Sequence, residues 1–295
     1  MKRILVTGAG GQLGTELQRV VWPEDWEVTA FDKAGLDLRD PKAIAARIGE
    51  GPWSAVINAA AYTAVDKAEA DVVDAWSVNA LGPAALAQAC AAKGIALIQV
   101  STDYVFDGSR KGRWEEGDPT LPLNVYGASK LGGELAVRTG GSRYAIVRTS
   151  WVVSAHGANF VKTMLRLGAA GNAVSVVADQ TGAPTSAADL ASALATIAVR
   201  LAEDRSAPSG TFHFSNAGEA TWHSFAEAIF AAAAARGRPS PVVRPIATAD
   251  YPRPAPRPVN SLLSHRVIGE AFGIVPRDWR EALEPIFDEL IGVVS

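Results

Sequence analysis

Short apolar runs alternate with longer helical patterns through the first half of the chain, and this alternation constrains the fold more than any other feature. Runs rich in β-branched residues predict strands at 3–7, 28–31, 55–58, 95–101 and 144–150. The segments between them predict helices at 12–21, 41–49, 72–94 and 126–138. Nearly continuous apolar strands that alternate with helices form parallel sheets covered on both faces. The sequence therefore predicts an α/β fold with a doubly wound parallel sheet.

The composition excludes several classes of protein. Of the 295 residues, 48% are hydrophobic and 20% are charged, which is typical of a soluble globular protein. A net charge of -3 gives no basic surface for nucleic acid or an anionic membrane. The amino terminus lacks the apolar run of a signal peptide, no stretch is apolar for long enough to span a bilayer, and the single Cys90 cannot form an internal disulfide. We therefore expect a cytoplasmic protein with no nucleic-acid or membrane partner.

Three glycines, Gly8, Gly11 and Gly14, lie between the first predicted strand and the first predicted helix. Glycine at such a junction permits a tight turn, close approach of the backbone to a pyrophosphate, and close packing of the helix on the strand. The N–H groups at the start of the helix can then bind phosphate oxygens. A tight turn without a ligand is the alternative, but the position at the first strand–helix junction favours a dinucleotide-binding site.

The pattern after residue 150 is looser. It predicts a strand at 211–215 and helices at 158–168, 186–203, 222–236, 264–272 and 279–291. The stretch 251–260 is too rich in proline for a helix or a central strand, so we predict a structured loop. We assign residues 1–150 to a dinucleotide-binding Rossmann domain and residues 151–295 to a smaller C-terminal substrate lobe, from which some segments return to the sheet.

Asp32 closes the second predicted strand, where a carboxylate can accept hydrogen bonds from the adenosine ribose and repel a 2′-phosphate. This position predicts a preference for NADH, although Lys33 beside it would weaken the repulsion. A solvated aspartate at a strand end is the alternative. Asp37 and Leu38 follow at the place where the adenine would lie.

Two other predicted strands end in segments suited to a ligand. Ala59 and Ala60 follow the third strand, where small side chains leave room for a flat cofactor, although core packing explains them equally well. Thr102 and Asp103 follow the fourth strand. The Thr102 hydroxyl can donate to a substrate oxygen, or it can simply cap a turn.

Tyr126 and Lys130 stand four residues apart in a predicted helix, so they share one face. A free phenol has a pKa near ~10, and a neighbouring ammonium stabilises its phenolate and lowers that pKa. With Thr102 beside it, Tyr126 can protonate an oxygen as a hydride reaches the adjoining carbon. We interpret Thr102, Tyr126 and Lys130 as one catalytic site.

The remaining aromatic and imidazole side chains give weaker signals. Trp151 follows the fifth predicted strand, where it either packs in the core or stacks on a flat ring or a sugar face. The histidines show no spacing of metal ligands, so we predict no metal site.

Several segments resemble a known family. TGAGGQLG, VNALG and YGASK resemble the extended short-chain dehydrogenase/reductase family. Within it, NAAAYTAVDKAE, STDYVFDG, LNVYGASKLGGE, RTSWVV and DQTGAPTSAADLA resemble the dTDP-4-dehydrorhamnose reductases. The resemblance implies that NADH or NADPH reduces the 4-keto group of dTDP-4-dehydro-L-rhamnose, the last step of dTDP-L-rhamnose synthesis, and that the C-terminal lobe binds this sugar nucleotide.

The resemblance also implies roles for individual residues. Thr102, Tyr126 and Lys130 would be catalytic, and Thr102, Asp103 and Trp151 would contact the sugar nucleotide. The residues implied to contact the cofactor are Gly11, Gln12, Leu13, Asp32, Asp37, Leu38, Ala61, Tyr62, Thr63, Val100, Tyr126 and Lys130.

The chain departs from this family at two positions. Some members dimerise through Mg²⁺ held by glutamates; Glu16 matches one of these, but Ala188 stands at another, and the adjacent Asp189 would face elsewhere on its helix. Leu262 stands where the family often has arginine, which predicts an altered substrate contact. We therefore expect a monomer or a homodimer that does not depend on Mg²⁺.

Two other functions remain open on the sequence. Another nucleotide-sugar 4-ketoreductase or epimerase would share the fold, and some relatives are non-catalytic regulatory subunits. The complete Thr102, Tyr126 and Lys130 set favours a catalyst. A dehydratase of this family needs an Asp-Glu pair after the threonine, whereas this chain has Asp103 and Tyr104, with Lys130 as the only cation that the sequence indicates nearby.

Overall fold

The computed structural model describes residues 1–171 and 173–292. Its strands are β1 (Lys2–Thr7), β2 (Trp26–Phe31), β3 (Trp53–Asn58), β4 (Ala96–Thr102), β5 (Tyr144–Thr149), β6 (Val152–Val153), β7 (Val174–Val177), β8 (Thr181–Gly182), β9 (Thr185–Ser186), β10 (Gly210–His213), β11 (Ala220–Thr221) and β12 (Val243–Ile246). Its helices are α1 (Gln12–Arg19), α2 (Pro41–Glu50), α3 (Val65–Ala68), α4 (Val72–Trp76), α5 (Gly82–Lys93), α6 (Val125–Thr139), α7 (Phe160–Ala169), α8 (Ala187–Glu203), α9 (Trp222–Ala235), α10 (Arg266–Phe272) and α11 (Trp279–Ile291).

Six of the described strands form one sheet in the order β10-β5-β4-β3-β1-β2. Every neighbouring pair in this sheet is parallel. The chain builds outwards from β1 to β2 and then crosses to the other side of β1 to begin β3. In open α/β sheets, ligands bind at the carboxyl ends of the strands beside such a switch point. The predicted doubly wound α/β fold is confirmed.

Apolar side chains bury both faces of the sheet. Ile4 of β1 packs with Leu194 of α8 on one face, together with α1 and α10. Leu5, the next residue, packs with Ile44 of α2 on the other face, together with α5 and α6. Successive side chains of a strand point to opposite faces. The continuous apolar runs of the sequence are therefore explained by a sheet that is covered on both sides.

The predicted helix at 72–94 contains an irregular turn. Between α4 and α5 the chain forms a π-helical segment, Ser77–Leu81. Pro83 lies at the start of α5 and has no N–H to donate to the carbonyl of Asn79. The wider turn accommodates this missing donor and still continues the helix.

The later half of the chain forms a second core and also contributes to the sheet. Val161 of α7, Phe225 of α9 and Phe287 of α11 are buried together in the second core. β10 extends the sheet beside β5, and α8 covers one sheet face. A division of the chain at residue 150 stays a prediction, and residues 172 and 293–295 of the predicted lobe lie outside the described residues. None of the described helices is both long and apolar enough to cross a membrane.

Candidate active site

The turn between β1 and α1 contains two glycines, Gly8 and Gly14, that cannot be replaced without a clash. Gly8 has a φ of +77°, and a Cβ at this residue would lie 2.8 Å from the backbone nitrogen of Ala60. A Cβ on Gly14 would lie 2.0 Å from the carbonyl oxygen of Gly8. Gly11 is the N-cap of α1 and provides no side chain to accept from the first N–H groups of the helix. An open turn with free helix N–H groups fits a pyrophosphate.

The two residues after Gly11 differ in what they can offer a cofactor. Leu13 is buried in the core on the α1 face of the sheet, so only its backbone is available. Gln12 is half-buried, and its side-chain oxygen accepts hydrogen bonds from Ser154 at 3.2 Å and Asn159 at 2.9 Å. A loop from the later half of the chain therefore contacts the glycine turn.

Charged side chains follow β2, where an adenosine would lie. The Asp32 carboxylate is exposed and accepts from the Gly35 N–H at 2.9 Å. Asp37 is bound by Arg39 at 2.6 Å, which holds the pKa of that carboxyl at about 2. Leu38 is buried in the core against α5, so its side chain does not line a surface site. Arg39 was not predicted, because its only signal in the sequence was a basic residue directly after Asp37 and Leu38.

The loop after β3 is held by Asn79, which was not predicted as a site residue. Asn79 is buried in the π-helical segment; its side-chain oxygen accepts from the Tyr62 N–H at 2.8 Å, and its amide donates to the Tyr62 carbonyl at 3.0 Å and to Ser129 of α6 at 3.0 Å. The Tyr62 phenol donates to Asp71 at 2.8 Å. Ala61 and Thr63, on either side of Tyr62, are thereby fixed at the sheet edge. The VNALG segment was the available signal, and π-helical turns are frequent at functional sites.

A row of buried polar side chains crosses the carboxyl ends of three strands. Thr7 donates to Asn58 at 2.5 Å, and the Asn58 amide donates to Gln99 at 2.8 Å. The Gln99 amide in turn donates to the carbonyl of Val100 at 2.8 Å. Because buried polar groups are costly unless they are paired, this fully paired row stabilises the strand ends beside the crevice.

Thr102 and Asp103 lie side by side at the end of β4, and both are buried. The Thr102 hydroxyl donates to the Asp103 carboxylate at 3.0 Å and accepts from the Tyr104 N–H at 3.2 Å. Burial raises the pKa of Asp103 to about 6. Its second oxygen, Oδ2, has no partner within hydrogen-bond distance among residues 1–171 and 173–292, although the Ser261 hydroxyl is near enough to lower the pKa of the carboxyl. A free acceptor therefore lies next to the hydroxyl at the strand end.

Tyr126 and Lys130 lie on α6 beside the end of β4. The Lys130 Nζ donates to the carbonyl of Val100 at 2.6 Å, which ties the helix to the strand. Burial raises the pKa of Tyr126 to about 12, and a hydrogen bond with Thr102 lowers it by a smaller amount. From the sequence, Lys130 was expected to lower the pKa of Tyr126. The pKa of Tyr126 is nevertheless raised overall, because burial of the phenol is the largest influence on it. The stabilisation of the phenolate by Lys130 stays a prediction.

A buried ion pair lies one turn beyond Lys130 on the same helix. Glu134 and Arg148 of β5 are both almost fully buried and are joined by two hydrogen bonds of 2.8 and 2.7 Å. Ser101, which precedes Thr102, donates to Glu134 at 2.6 Å. This pair connects α6 to both β4 and β5, so it fixes the elements that carry Thr102, Tyr126 and Lys130.

A second cation lies near the site, contrary to the expectation from sequence. Arg257 of the proline-rich loop binds Asp66 at 2.5 Å and forms a hydrogen bond with Tyr104. Burial is nevertheless the largest influence and raises the pKa of Tyr104, while Arg257 lowers it by less. Tyr104 also packs edge-on against Tyr126, with ring centroids 5.5 Å apart. No local pattern predicts Arg257 here, because the contact joins residues far apart in sequence.

The structure shows the surroundings of Trp151 and Leu262, which the sequence did not determine. Trp151 adopts a φ of +49°, which is unusual for a bulky residue, and one face of its ring stacks on Trp222 at a centroid distance of 3.6 Å. Gly182 also packs against this ring, since a Cβ at Gly182 would lie 2.6 Å from Trp151 Cε2, so only the part of the ring that both neighbours leave uncovered is available to a ligand. Leu262 is buried, and its carbonyl accepts from the Trp114 N–H at 2.7 Å. Its apolar side chain contributes packing at the position where the family often has arginine.

The positions compared with metal-binding relatives carry other contacts. Glu16 lies 3.4 Å from His156 and 3.9 Å from Arg19. Ala188 is exposed, and Asp189 binds Arg277 through two hydrogen bonds of 2.8 Å. Within the described part of the chain, no three or more His, Cys, Asp or Glu side chains are grouped to hold a metal ion.

Comparisons with known proteins agree with this fold. The family model described as "RmlD substrate binding domain" matches residues 1–291. A dTDP-4-dehydrorhamnose reductase of Aggregatibacter actinomycetemcomitans is 44% identical over 97% of this chain and 98% of that protein. The crystal structure of a dTDP-4-dehydrorhamnose reductase from Clostridium acetobutylicum gives a TM-score of 0.90 at 39% identity, covering 98% of this chain and 99% of that one. A dTDP-4-dehydrorhamnose reductase from Bacillus anthracis, solved in complex with NADP, gives a TM-score of 0.89 at 39% identity, covering 98% and 100%. The resemblance found in the sequence is therefore confirmed, and the chain belongs to the RmlD substrate binding domain family.

Proposed function

We propose that this protein reduces the 4-keto group of dTDP-4-dehydro-L-rhamnose with NADH or NADPH and releases dTDP-L-rhamnose. The observation that carries the proposal is the meeting of Thr102, Tyr126 and Lys130 at the end of β4, beside a glycine turn that fits a pyrophosphate. Membership of the family and the reductases among the relatives support the same substrate.

In this proposal a bound, reduced nicotinamide supplies the hydride to C4 of the sugar. Tyr126 donates its phenolic proton to the ketone oxygen as the C=O bond becomes C–OH. Tyr126 keeps that proton at neutral pH because burial raises its pKa to about 12. The Thr102 hydroxyl donates to the ketone oxygen and polarises the carbonyl, after exchanging its present acceptor, Asp103, for the substrate.

Lys130 and Asp103 supply groups of opposite charge to the reaction. Lys130 is buried beside Val100, where its ammonium stabilises negative charge that develops on Tyr126 as the proton leaves. The free Oδ2 of Asp103 accepts from a sugar hydroxyl. We assign a further contact with the sugar nucleotide to the part of the Trp151 ring that Trp222 and Gly182 leave uncovered.

The choice between NADH and NADPH depends on charges after β2. Asp32 accepts from ribose hydroxyls and disfavours a 2′-phosphate, whereas Lys33 and Arg39 are cations on the same loop. Arg39 is already paired with Asp37, which reduces its attraction for a phosphate. We therefore propose a preference for NADH with NADPH tolerated, and no requirement for Mg²⁺.

The direct test mixes the purified protein with dTDP-4-dehydro-L-rhamnose and either NADH or NADPH, and follows the loss of nicotinamide absorbance. We expect prompt oxidation of the cofactor and a dTDP-L-rhamnose product. A protein that binds both ligands without turnover would instead support a non-catalytic regulatory subunit.

Tyr126→Phe tests the proton donor. We expect normal cofactor binding and a turnover lower by about a hundredfold or more, because general acid catalysis contributes about 10²–10⁴. Titration of NADH fluorescence checks the binding, and the absorbance assay checks the turnover. Near-normal turnover in this variant would rule out Tyr126 as the proton donor.

A dehydratase activity is not expected. Removing a carbon-bound proton next to the keto group needs a base, and burial raises the pKa of Tyr104, which stands where dehydratases of the family have glutamate. With dTDP-glucose and NAD⁺ the protein should form no 4-keto-6-deoxy sugar, a product readily detected by chromatography. Its formation at an enzymatic rate would contradict the reductase assignment.

A further inference from the structure

The side-chain amide of Gln12 has an orientation that its surroundings determine. Asn159 is the N-cap of α7, where its side-chain oxygen accepts from the Lys162 N–H at 3.1 Å. Its nitrogen therefore faces the other way and donates to the carbonyl of Ser154 at 2.7 Å. The same nitrogen lies 2.9 Å from Gln12, so the Gln12 atom that meets it must be the acceptor oxygen.

Ser154 is consistent with this orientation. Its almost fully buried hydroxyl lies 3.2 Å from the same Gln12 oxygen and 3.1 Å from the carbonyl oxygen of His156, and these two acceptors share its single proton. Gly157 brings the loop close, since a Cβ at that residue would lie 3.1 Å from the Gln12 side chain. With the oxygen engaged by this loop, the Gln12 nitrogen is directed away from it. Among residues 1–171 and 173–292 the Gln12 nitrogen has no acceptor.

The free side-chain nitrogen of Gln12 belongs to a residue at the glycine turn. Gln12 is the first residue of α1, directly after Gly11, at the turn that fits a pyrophosphate. We propose that Ser154 and Asn159 are positioning residues that hold the Gln12 amide with its nitrogen towards the cofactor pyrophosphate, so that a loop from the later half of the chain completes the phosphate site. This proposal rests on the proposed function, because it requires a nicotinamide dinucleotide in the crevice.

Asn159→Asp is the most informative substitution. An aspartate keeps an oxygen for the Lys162 N–H, so α7 remains capped. The substitution replaces the Asn159 side-chain nitrogen, which donates to Gln12, with a carboxylate oxygen. The Gln12 amide is then expected to flip, so that its nitrogen faces residue 159 and its oxygen faces the pyrophosphate. We expect the affinity for NADH, measured by fluorescence titration without substrate, to fall about tenfold, the loss of one hydrogen bond to a charged group.

Gln12→Ala supplies the reference for a double-mutant cycle. It should lower the affinity for NADH by a similar factor, and adding Asn159→Asp in the Gln12→Ala background should cost nothing further. Asn159→Ser is the matched control: it retains a capping oxygen and removes the donor without adding charge, so its effect should be smaller. The thermal unfolding transition shows whether Asn159→Asp folds. If it does not fold, Ser154→Ala replaces it in the same double-mutant cycle with Gln12→Ala.

Each outcome has one interpretation. Non-additive losses at Gln12 and Asn159 support the proposal. Unchanged affinity in Gln12→Ala overturns it, and so does an Asn159→Asp effect that is equally large with and without Gln12, since the new charge would then act directly. A wild-type protein that binds neither NADH nor NADPH would contradict the proposed function itself, whereas binding and turnover with additive variants would contradict only the positioning role.

Discussion

At the scale of single residues, Lys130 has the ionisation state on which the proposed chemistry depends. It is 4% exposed, and burial lowers its pKa to about 8 while Glu134 opposes that shift. A lysine is charged below its pKa. Lys130 therefore carries its ammonium at pH 7 and loses it as the pH rises through about 8.

This ionisation predicts a pH dependence. We expect kcat/KM for the keto sugar to fall as the pH rises from about 7 to about 9.5, because the ammonium that stabilises the developing phenolate is lost. Burial raises the pKa of both Tyr104 and Tyr126, and the pKa of Asp103 is about 6, so none of these three titrates between those limits. A flat profile across this range, at constant ionic strength, would be inconsistent with the role of Lys130.

Asp32 governs cofactor choice in the proposal. Asp32→Ala should raise the ratio of kcat/KM for NADPH over NADH by about tenfold, since one unit charge near a phosphate contributes about 1–4 kcal/mol. Arg39→Ala should move the ratio the other way. Glu50→Ala, at the far end of α2, is the control for a lost negative charge and should leave the ratio unchanged. A wild-type enzyme that strongly selects NADPH and is unaffected by Asp32→Ala would show that other groups set the preference.

The residue roles that sequence could predict were those with a local signal. Gly8 and Gly14 sit at a strand–helix junction, and the structure explains both by close backbone contacts. Arg257 had no such signal, because it reaches Tyr104 from the proline-rich loop. The stacking of Trp151 on Trp222 likewise joins distant segments, and the sequence left both of its alternatives open.

At the scale of elements, helix α6 is held to the sheet by a buried charge. Glu134→Ala would leave the guanidinium of Arg148 buried without its carboxylate, which costs about 3–5 kcal/mol of unfolding free energy. Urea denaturation measures this loss. Arg138→Ala is the control, because Arg138 is a half-exposed partner of the same carboxylate and should cost about 1 kcal/mol or less. Equal losses of unfolding free energy in the two variants would show that burial of the Glu134–Arg148 pair does not determine its contribution to stability.

The sequence predicted the long elements and missed the short ones. β10 was predicted at 211–215 and lies at Gly210–His213, because a β-branched and aromatic run marks a strand. Strands of two residues, such as β8 and β11, are too short for any periodicity. The π-helical turn before Pro83 was missed as well, since a helical pattern continues through it.

At the scale of the whole molecule, the surface around Glu16 predicts how assembly responds to metal. Ala188 offers no ligand and Asp189 is bound by Arg277. Adding a chelator, or omitting Mg²⁺, should therefore leave the sedimentation coefficient unchanged. Dissociation of a dimer by the chelator would show that other side chains have replaced the missing glutamate.

The late entry of β10 into the sheet has a consequence during synthesis on the ribosome. β5 ends at Thr149 and β10 begins at Gly210, so the 60 residues 150–209 must be made before the sheet is complete. At roughly 5–20 residues per second, the nascent chain spends several seconds with β5 as an open edge. An unpaired apolar edge is prone to pair with other chains. Nascent molecules of this protein should therefore need chaperone protection during that interval, and translational pauses between residues 150 and 209 should lower the yield of active enzyme.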